Sequence, residues 1–131
     1  VIGGGVDRAS RRAARHDGWI MGGGPPDALA GGRQKLAEAW SAAGREGEPY
    51  CGALGYYALG PDAARNAEQN IGGYYAWLGE YAQGVVDGVA KDAEAVQGAV
   101  KAFEDVGAGE LILFPSSADP EQVDLLAQAV F

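Results

Sequence analysis

The residues whose types and spacing could do chemistry are two triple glycines and a set of arginines beside the first. Val1-Ile2-Gly3-Gly4-Gly5-Val6 runs directly into Asp7-Arg8-Ala9-Ser10-Arg11-Arg12-Ala13-Ala14-Arg15, the pattern of a strand, a glycine turn and a helix start. A helix N-terminus presents unpaired N–H groups and the positive end of a dipole, and glycines let an anion approach the backbone without meeting a Cβ. That layout suits a phosphate held through main chain. A dinucleotide fingerprint would need Gly or Ala three residues after Gly5, and the residue there is Arg8, too long for the close helix-to-strand packing that position serves. A plain glycine-rich turn is the alternative reading. Trp19-Ile20-Met21 followed by Gly22-Gly23-Gly24 and Pro25-Pro26-Asp27 repeats the opening pattern.

Other reactive side chains are few. His16 is the single histidine, and imidazole is the usual proton shuttle near neutral pH. Its place at a helix C-terminus fits a charge complementing the dipole better than catalysis. Cys51, the single cysteine, sits in the apolar run Tyr50 to Leu59 and reads as a buried core thiol with no internal disulfide. No metal site is expected. Ser116, Ser117 and Asp119 could form a second phosphate loop, but the Asp119 carboxylate would occupy the helix terminus and repel an anion.

These groups must be positioned by a chain of 131 residues that is 47% hydrophobic, enough for one modest domain with a core. Apolar stretches are interrupted well before the roughly 18 residues a membrane span requires, and no basic-then-apolar leader precedes them. A soluble, cytoplasmic protein is expected. The net charge of -8 is unevenly spread: residues 1–45 carry seven basic and four acidic groups, residues 46–131 three and fourteen. An acidic chain argues against nucleic acid or an anionic membrane as partner, whereas a local basic surplus suits a small anionic ligand. Arg8, Arg11, Arg12 and Arg15 are nonetheless read mostly as a solvated helix face.

Along the chain, Leu29, Leu36, Trp40 and Ala43 predict a helix stopped by Gly44, and Gly31 and Gly32 weaken its first turns. Tyr50 to Leu59 predicts a strand closed by Gly60-Pro61-Asp62. A helical stretch from Ala63 to Asn70 is expected to break at Gly72-Gly73 within a helical insertion spanning 63–90. Tyr74, Tyr75, Trp77, Leu78 and Tyr81 form an aromatic cluster that reads as core, with a wall for a flat ligand as the alternative. Asp92 predicts an N-cap for a helix through Val96, Val100 and Phe103 that ends at Gly107-Ala108-Gly109. Leu111-Ile112-Leu113-Phe114 predicts a buried strand. Asp119, Pro120 and Gln122 then predict a capping box for a last helix through Val123, Leu126 and Val130.

Strands alternating with helices demand a parallel α/β sheet with right-handed crossovers. Four βα units are visible, and an eight-unit barrel takes about 250 residues, so the expected architecture is a single partial domain, half of a (β/α)8 barrel, over 1–131. An isolated half leaves two unpaired edges and an uncovered face. Either a missing N-terminal half or a homo-oligomer is expected to close them.

The run Ile2-Gly3-Gly4-Gly5-Val6-Asp7-Arg8-Ala9-Ser10-Arg11-Arg12-Ala13-Ala14-Arg15, then Asp17-Gly18-Trp19, then Phe114-Pro115-Ser116-Ser117-Ala118-Asp119-Pro120, resembles the C-terminal half of luciferase-like monooxygenases. The resemblance implies an oxidoreductase on a TIM barrel, using FMN or a deazaflavin cofactor on a small-molecule substrate. It places the cofactor phosphate on Gly3, Gly4, Gly5 and Val6, with Met21, Gly22 and Gly23 assisting. That family usually has a further small residue before Asp-Gly-Trp, where His16 here abuts Asp17. Its catalytic side chains usually come from the N-terminal half, so the resemblance names no catalytic residue in this chain. A noncatalytic half-barrel that homodimerises, and an inactive fragment, are the other readings.

Overall fold

The computed structural model describes residues 1–5 and 7–131. Val6, one of the expected phosphate-loop positions, lies outside the described residues. The elements run β1 (Ile2–Gly3), α1 (Asp7–Ala13), β2 (Gly18–Met21), α2 (Pro26–Ala42), β3 (Tyr50–Tyr57), α3 (Ala63–Asn66), a π-helical segment (Ala67–Gly72), a 3-10 turn (Ala76–Leu78), α4 (Tyr81–Asp87), α5 (Ala93–Asp105), β4 (Glu110–Pro115) and α6 (Glu121–Val130). The strands form a four-stranded parallel sheet in the order β1-β2-β3-β4. Sequential strands therefore lie side by side with helices between them, the α/β order read from the sequence and a partial TIM-barrel fold.

Contacts divide the chain into two compact units, 1–54 with 102–112 and 55–101 with 113–131. In the first unit, β1 pairs with β2 (Ile2 beside Trp19, Gly3 beside Ile20), and β2 pairs with β3 (Trp19 beside Cys51, Met21 beside Ala53). Side chains alternate faces along a strand, so Trp19, Met21, Cys51 and Ala53 share one face. They bury it against Ala13, Leu29, Leu36 and Phe103. Two glycines permit close approach, one between β2 and β3 and one between α2 and the sheet. A Cβ at Gly18 would overlap the Tyr50 carbonyl, and one at Gly32 would overlap the Trp19 ring. Gly32, which costs α2 intrinsic stability, thus lets the helix seat against that indole.

The second unit has two clusters: Ala58, Ala63, Ala67, Ile71, Val86 and Val89, and then Tyr57, Leu59, Ala90, Val96 and Ala129. After α4 the chain returns to extend β3, with Ala58 N–H donating to Ala90 O (2.8 Å) and Ala90 N–H to Tyr56 O (3.0 Å).

Four expectations are corrected here. Gly72-Gly73 does not break the helical path, which runs from α3 through the π-helical segment to Gly73. Gly72 instead lets it approach α4, since a Cβ there would sit 3.3 Å from Val86 Cγ2. The aromatic cluster is not core: Tyr74, Trp77 and Tyr81 are 71%, 76% and 81% exposed, and Tyr75 alone packs inward, against Tyr56. The apolar run in β4 is buried on one side only, for Leu111 and Leu113 pack on the cores while Phe114 is 45% exposed. Finally, Gln122 forms no capping box. Its buried carboxamide accepts from Leu59 N–H (2.9 Å) and donates to Leu59 O (2.8 Å), a tertiary partner winning over a local one.

Candidate cofactor-phosphate site

In parallel α/β sheets, ligands collect beyond the carboxyl ends of the strands, where the loops into the helices gather. The first two such loops leave adjacent strands, because Gly3 of β1 lies beside Ile20 of β2. The first loop is tied to β2 by the Trp19 indole N–H, which donates to Gly4 O at 2.7 Å. Within the first loop the glycines play different parts. Gly4 has φ +115°, and a Cβ there would stand 3.2 Å from Ala9 Cβ, so the turn needs glycine on two counts. Gly5 has open space where a Cβ would go. It is left free to face a ligand.

Beside this loop lies a cleft of about 510 Å³ lined by Gly3, Gly4, Arg8, Ala9, Arg11, Arg12 and Arg15. All four arginines are solvent-exposed, as a solvated helix face would be, and they also ring the cleft. Among the described residues none of the four makes an ion pair. The helix terminus itself contributes less. α1 has seven residues, and its first turn carries the Asp7 carboxylate, 3.2 Å from Lys35 Nζ. Positive charge in this cleft therefore comes chiefly from guanidinium groups, whose planar forks match phosphate oxygens. The sequence signal for them was the basic surplus of residues 1–45, discounted as surface charge.

The remaining expected site residues fall as follows. Met21 is buried at 6% exposure in the core, which leaves its backbone alone for a ligand. Gly22 and Gly23 are exposed, with nothing near either Cβ position. Gly5, Met21, Gly22 and Gly23 do not line the arginine cleft. His16 lies beyond the end of α1, before β2, with its carbonyl accepting from Arg45. That is the amino end of β2, away from the loops. Among the described residues no group of His, Cys, Asp and Glu could hold a metal ion. No helix of the described residues is long and apolar enough to cross a membrane.

The turn after β4 is built differently. Ser117 Oγ accepts from Asp119 N–H (3.2 Å) and Asp119 Oδ1 from Glu121 N–H (3.0 Å). Ser116 is 3% exposed, and its Oγ has no hydrogen-bond partner among the described residues. Its N–H donates to Tyr57 O (2.7 Å) and its carbonyl accepts from Asn70 Nδ2 (2.6 Å).

The four-stranded parallel sheet with its intervening helices has counterparts among solved structures. An F420-dependent secondary alcohol dehydrogenase in complex with an F420-acetone adduct matches 98% of this chain and 46% of its own, with TM-score 0.77 and 17% identity. The coenzyme F420 dependent tetrahydromethanopterin reductase from Methanopyrus kandleri matches 98% and 48%, with TM-score 0.70 and 15% identity. Apo-MsnO8 matches 97% and 49%, with TM-score 0.57 and 15% identity. The chain thus spans about half the length of each, and at these identities the likeness is one of fold. No protein-family model and no curated protein matches the sequence.

Proposed function

We propose that this chain supplies the cofactor-phosphate half of a deazaflavin-dependent oxidoreductase of the luciferase-like type. The observation that carries the reading is the cleft in which the backbone of Gly3 and Gly4, at the carboxyl end of β1, meets Arg8, Arg11, Arg12 and Arg15, set along α1 and just past its end. Two of the structures that share the fold are F420 proteins, which favours a deazaflavin over FMN. Gly3, Gly4 and Gly5, with the neighbouring Val6, would admit the phosphate to the backbone, and the arginines would neutralise it. Met21, Gly22 and Gly23 would close the second side through main chain. The bound deazaflavin would supply hydride transfer, and the protein its orientation. No catalytic residue is assigned to this chain, and the substrate is a small molecule.

The reading also implies a complementary barrel half, from further polypeptide or from a second copy. Ile20 and Gly52 are cross-strand neighbours on the sheet face opposite Trp19 and Cys51. That face also takes Leu54 and Ile112 by alternation, and Ile20, Leu54 and Ile112 are all partly exposed. A noncatalytic homodimer would use the same face.

Titration of the folded chain with F420 and with FMN, followed by cofactor fluorescence alongside solution mass, tests the proposal. F420 is expected to bind more tightly than FMN. Gly5→Trp, which fills open space without backbone strain, should abolish binding, and Arg8→Gln with Arg12→Gln should weaken it by about tenfold or more. Equal F420 affinity in wild type and the double arginine variant would overturn the site.

A further inference from the structure

We infer that the first unit holds a second ligand site, for a small organic acid with an apolar body, at the opposite end of the strands from the glycine loops. A cleft of about 440 Å³ lies between the second half of α2 and Val106, just past α5, and reaches Pro49 at the amino end of β3. That volume is in the range of small-molecule sites.

Its floor is apolar and buried: Leu36, Trp40 and Cys51 are 1%, 6% and 5% exposed. Two guanidinium groups stand over that floor. Arg33 donates through Nη1 to Val106 O (2.9 Å). Arg45 donates through Nη1 to Ala14 O (3.2 Å) and to His16 O, and its guanidinium lies 3.8 Å from the centroid of the Trp40 ring. Each arginine thus anchors one nitrogen on carbonyls just past a helix end, α5 for Arg33 and α1 for Arg45. Such carbonyls are the negative ends of dipoles and suit a cation.

The anchoring leaves half of each fork over. Among the described residues no carboxylate is within 4.0 Å of either guanidinium, and neither Nη2 nor Nε has a protein acceptor. Glu48 lines the cleft without pairing to them. Two forks with nitrogens left over, beside an apolar wall, match a carboxylate on a small apolar body, with hydrogen bonds to the charged end and apolar contact with Ala37, Pro49 and Val106 for the body. The chain also makes room for one of the forks: Gly107 has φ +80°, and any Cβ there would overlap the Arg33 guanidinium. The charge is felt at the floor, where burial pushes the Cys51 thiol up and Arg33 pulls it back.

The site shares no residue with the glycine-loop cleft, so it goes beyond the proposed function and stands or falls separately. Two indoles report on the two places. Trp40 Nε1–H donates to Glu46 O (3.3 Å) under this cleft, whereas Trp19 Nε1–H donates to Gly4 O at the other. The test is a titration of the nitrogen-labelled chain with para-trifluoromethylbenzoate, reading the tryptophan side-chain resonances, with para-trifluoromethylbenzamide as the uncharged control. The benzoate should shift the Trp40 resonance saturably and leave that of Trp19 in place. The amide, Arg33→Gln and Arg45→Gln should each weaken binding by about tenfold, the loss expected when a charge-assisted bond is removed. A Trp40 resonance that does not move, an amide that binds as well as the benzoate, or unchanged affinity in either variant would overturn the inference. The amide comparison needs only the wild-type chain, so it decides even if a variant fails to fold.

Discussion

The turn after β1 and the turn after β4 both lead a parallel strand into a helix, yet they use their polar groups in opposite ways. After β4, Ser117 and Asp119 take up N–H groups of the turn itself, and Gln122 turns its carboxamide onto Leu59. After β1 there are glycines with no side chains to satisfy anything, flanked by four arginines without carboxylate partners among the described residues. A loop whose donors are consumed internally is a structural joint, whereas one whose donors and charges are left over is ready for an anion. Serine and aspartate, set aside in the sequence because the Asp119 carboxylate would repel an anion, mark the joint.

Breaking the joint should give the largest effect. Gln122→Leu would leave the N–H and carbonyl of Leu59, itself 6% exposed, without the partners seen at 2.9 and 2.8 Å. A loss of about 3 kcal/mol is expected from two buried unpaired backbone groups. Urea denaturation checks it, and a loss below about 1 kcal/mol would mean that water reaches the gap.

The glycine loop should respond less, and unevenly. Gly4→Ala puts a side chain at φ +115° and against Ala9, which should cost about 1–2 kcal/mol. Gly5→Ala meets nothing and should change stability by less than about 0.5 kcal/mol. Equal losses in the two variants would mean that the loop is uniformly strained and not shaped to leave Gly5 open.

Much of this contrast was legible beforehand. The triple glycines, the stop at Gly44, the Leu29-Leu36-Trp40 stripe and the Asp92 cap, whose carboxylate accepts from Ala95 N–H at 2.7 Å, are local signals that depend on neighbours within a turn or two. What was not legible depends on partners far along the chain. Gln122 matched a capping-box spacing, but Leu59 lies 63 residues away and offers two backbone bonds in a buried setting. Gly72-Gly73 resembled a breaker, though Gly72 instead makes room for Val86. Arg33 and Arg45 gave no signal at all, since each is defined by a carbonyl dozens of residues distant. The aromatic run was misjudged because spacing alone does not say whether a helix face is covered.

Ser116 is the exception within the joint, a buried hydroxyl with no partner among the described residues. If the turn after β4 is purely structural, Ser116→Ala removes an unsatisfied group and should stabilise the chain by about 1 kcal/mol. Thermal or urea denaturation would show it. A destabilisation would mean that the hydroxyl has a water or ligand partner, and the two turns would then differ less than the described bonds suggest.

The smallest effect concerns how the two units respond to alkali. Tyr50, in the first, donates to the Glu110 carboxylate, and that bond, aided by burial, pushes its hydroxyl up to about 12. Tyr56, in the second, lies 2.8 Å from the Tyr75 hydroxyl, and that bond with burial pushes it up to about 12 as well. A phenol whose pKa is raised by folding holds its proton more tightly in the native state. Its stabilisation is complete below the ordinary value of 10.0 and is lost as pH rises toward about 12. Stability should therefore be insensitive to these groups up to about pH 10 and fall above it. Tyr50→Phe and Tyr56→Phe should each flatten that fall, most visibly as a double variant. An unchanged alkaline slope in the double variant would show that neither hydroxyl is tied to folding, and that the alkaline limit is set by other groups.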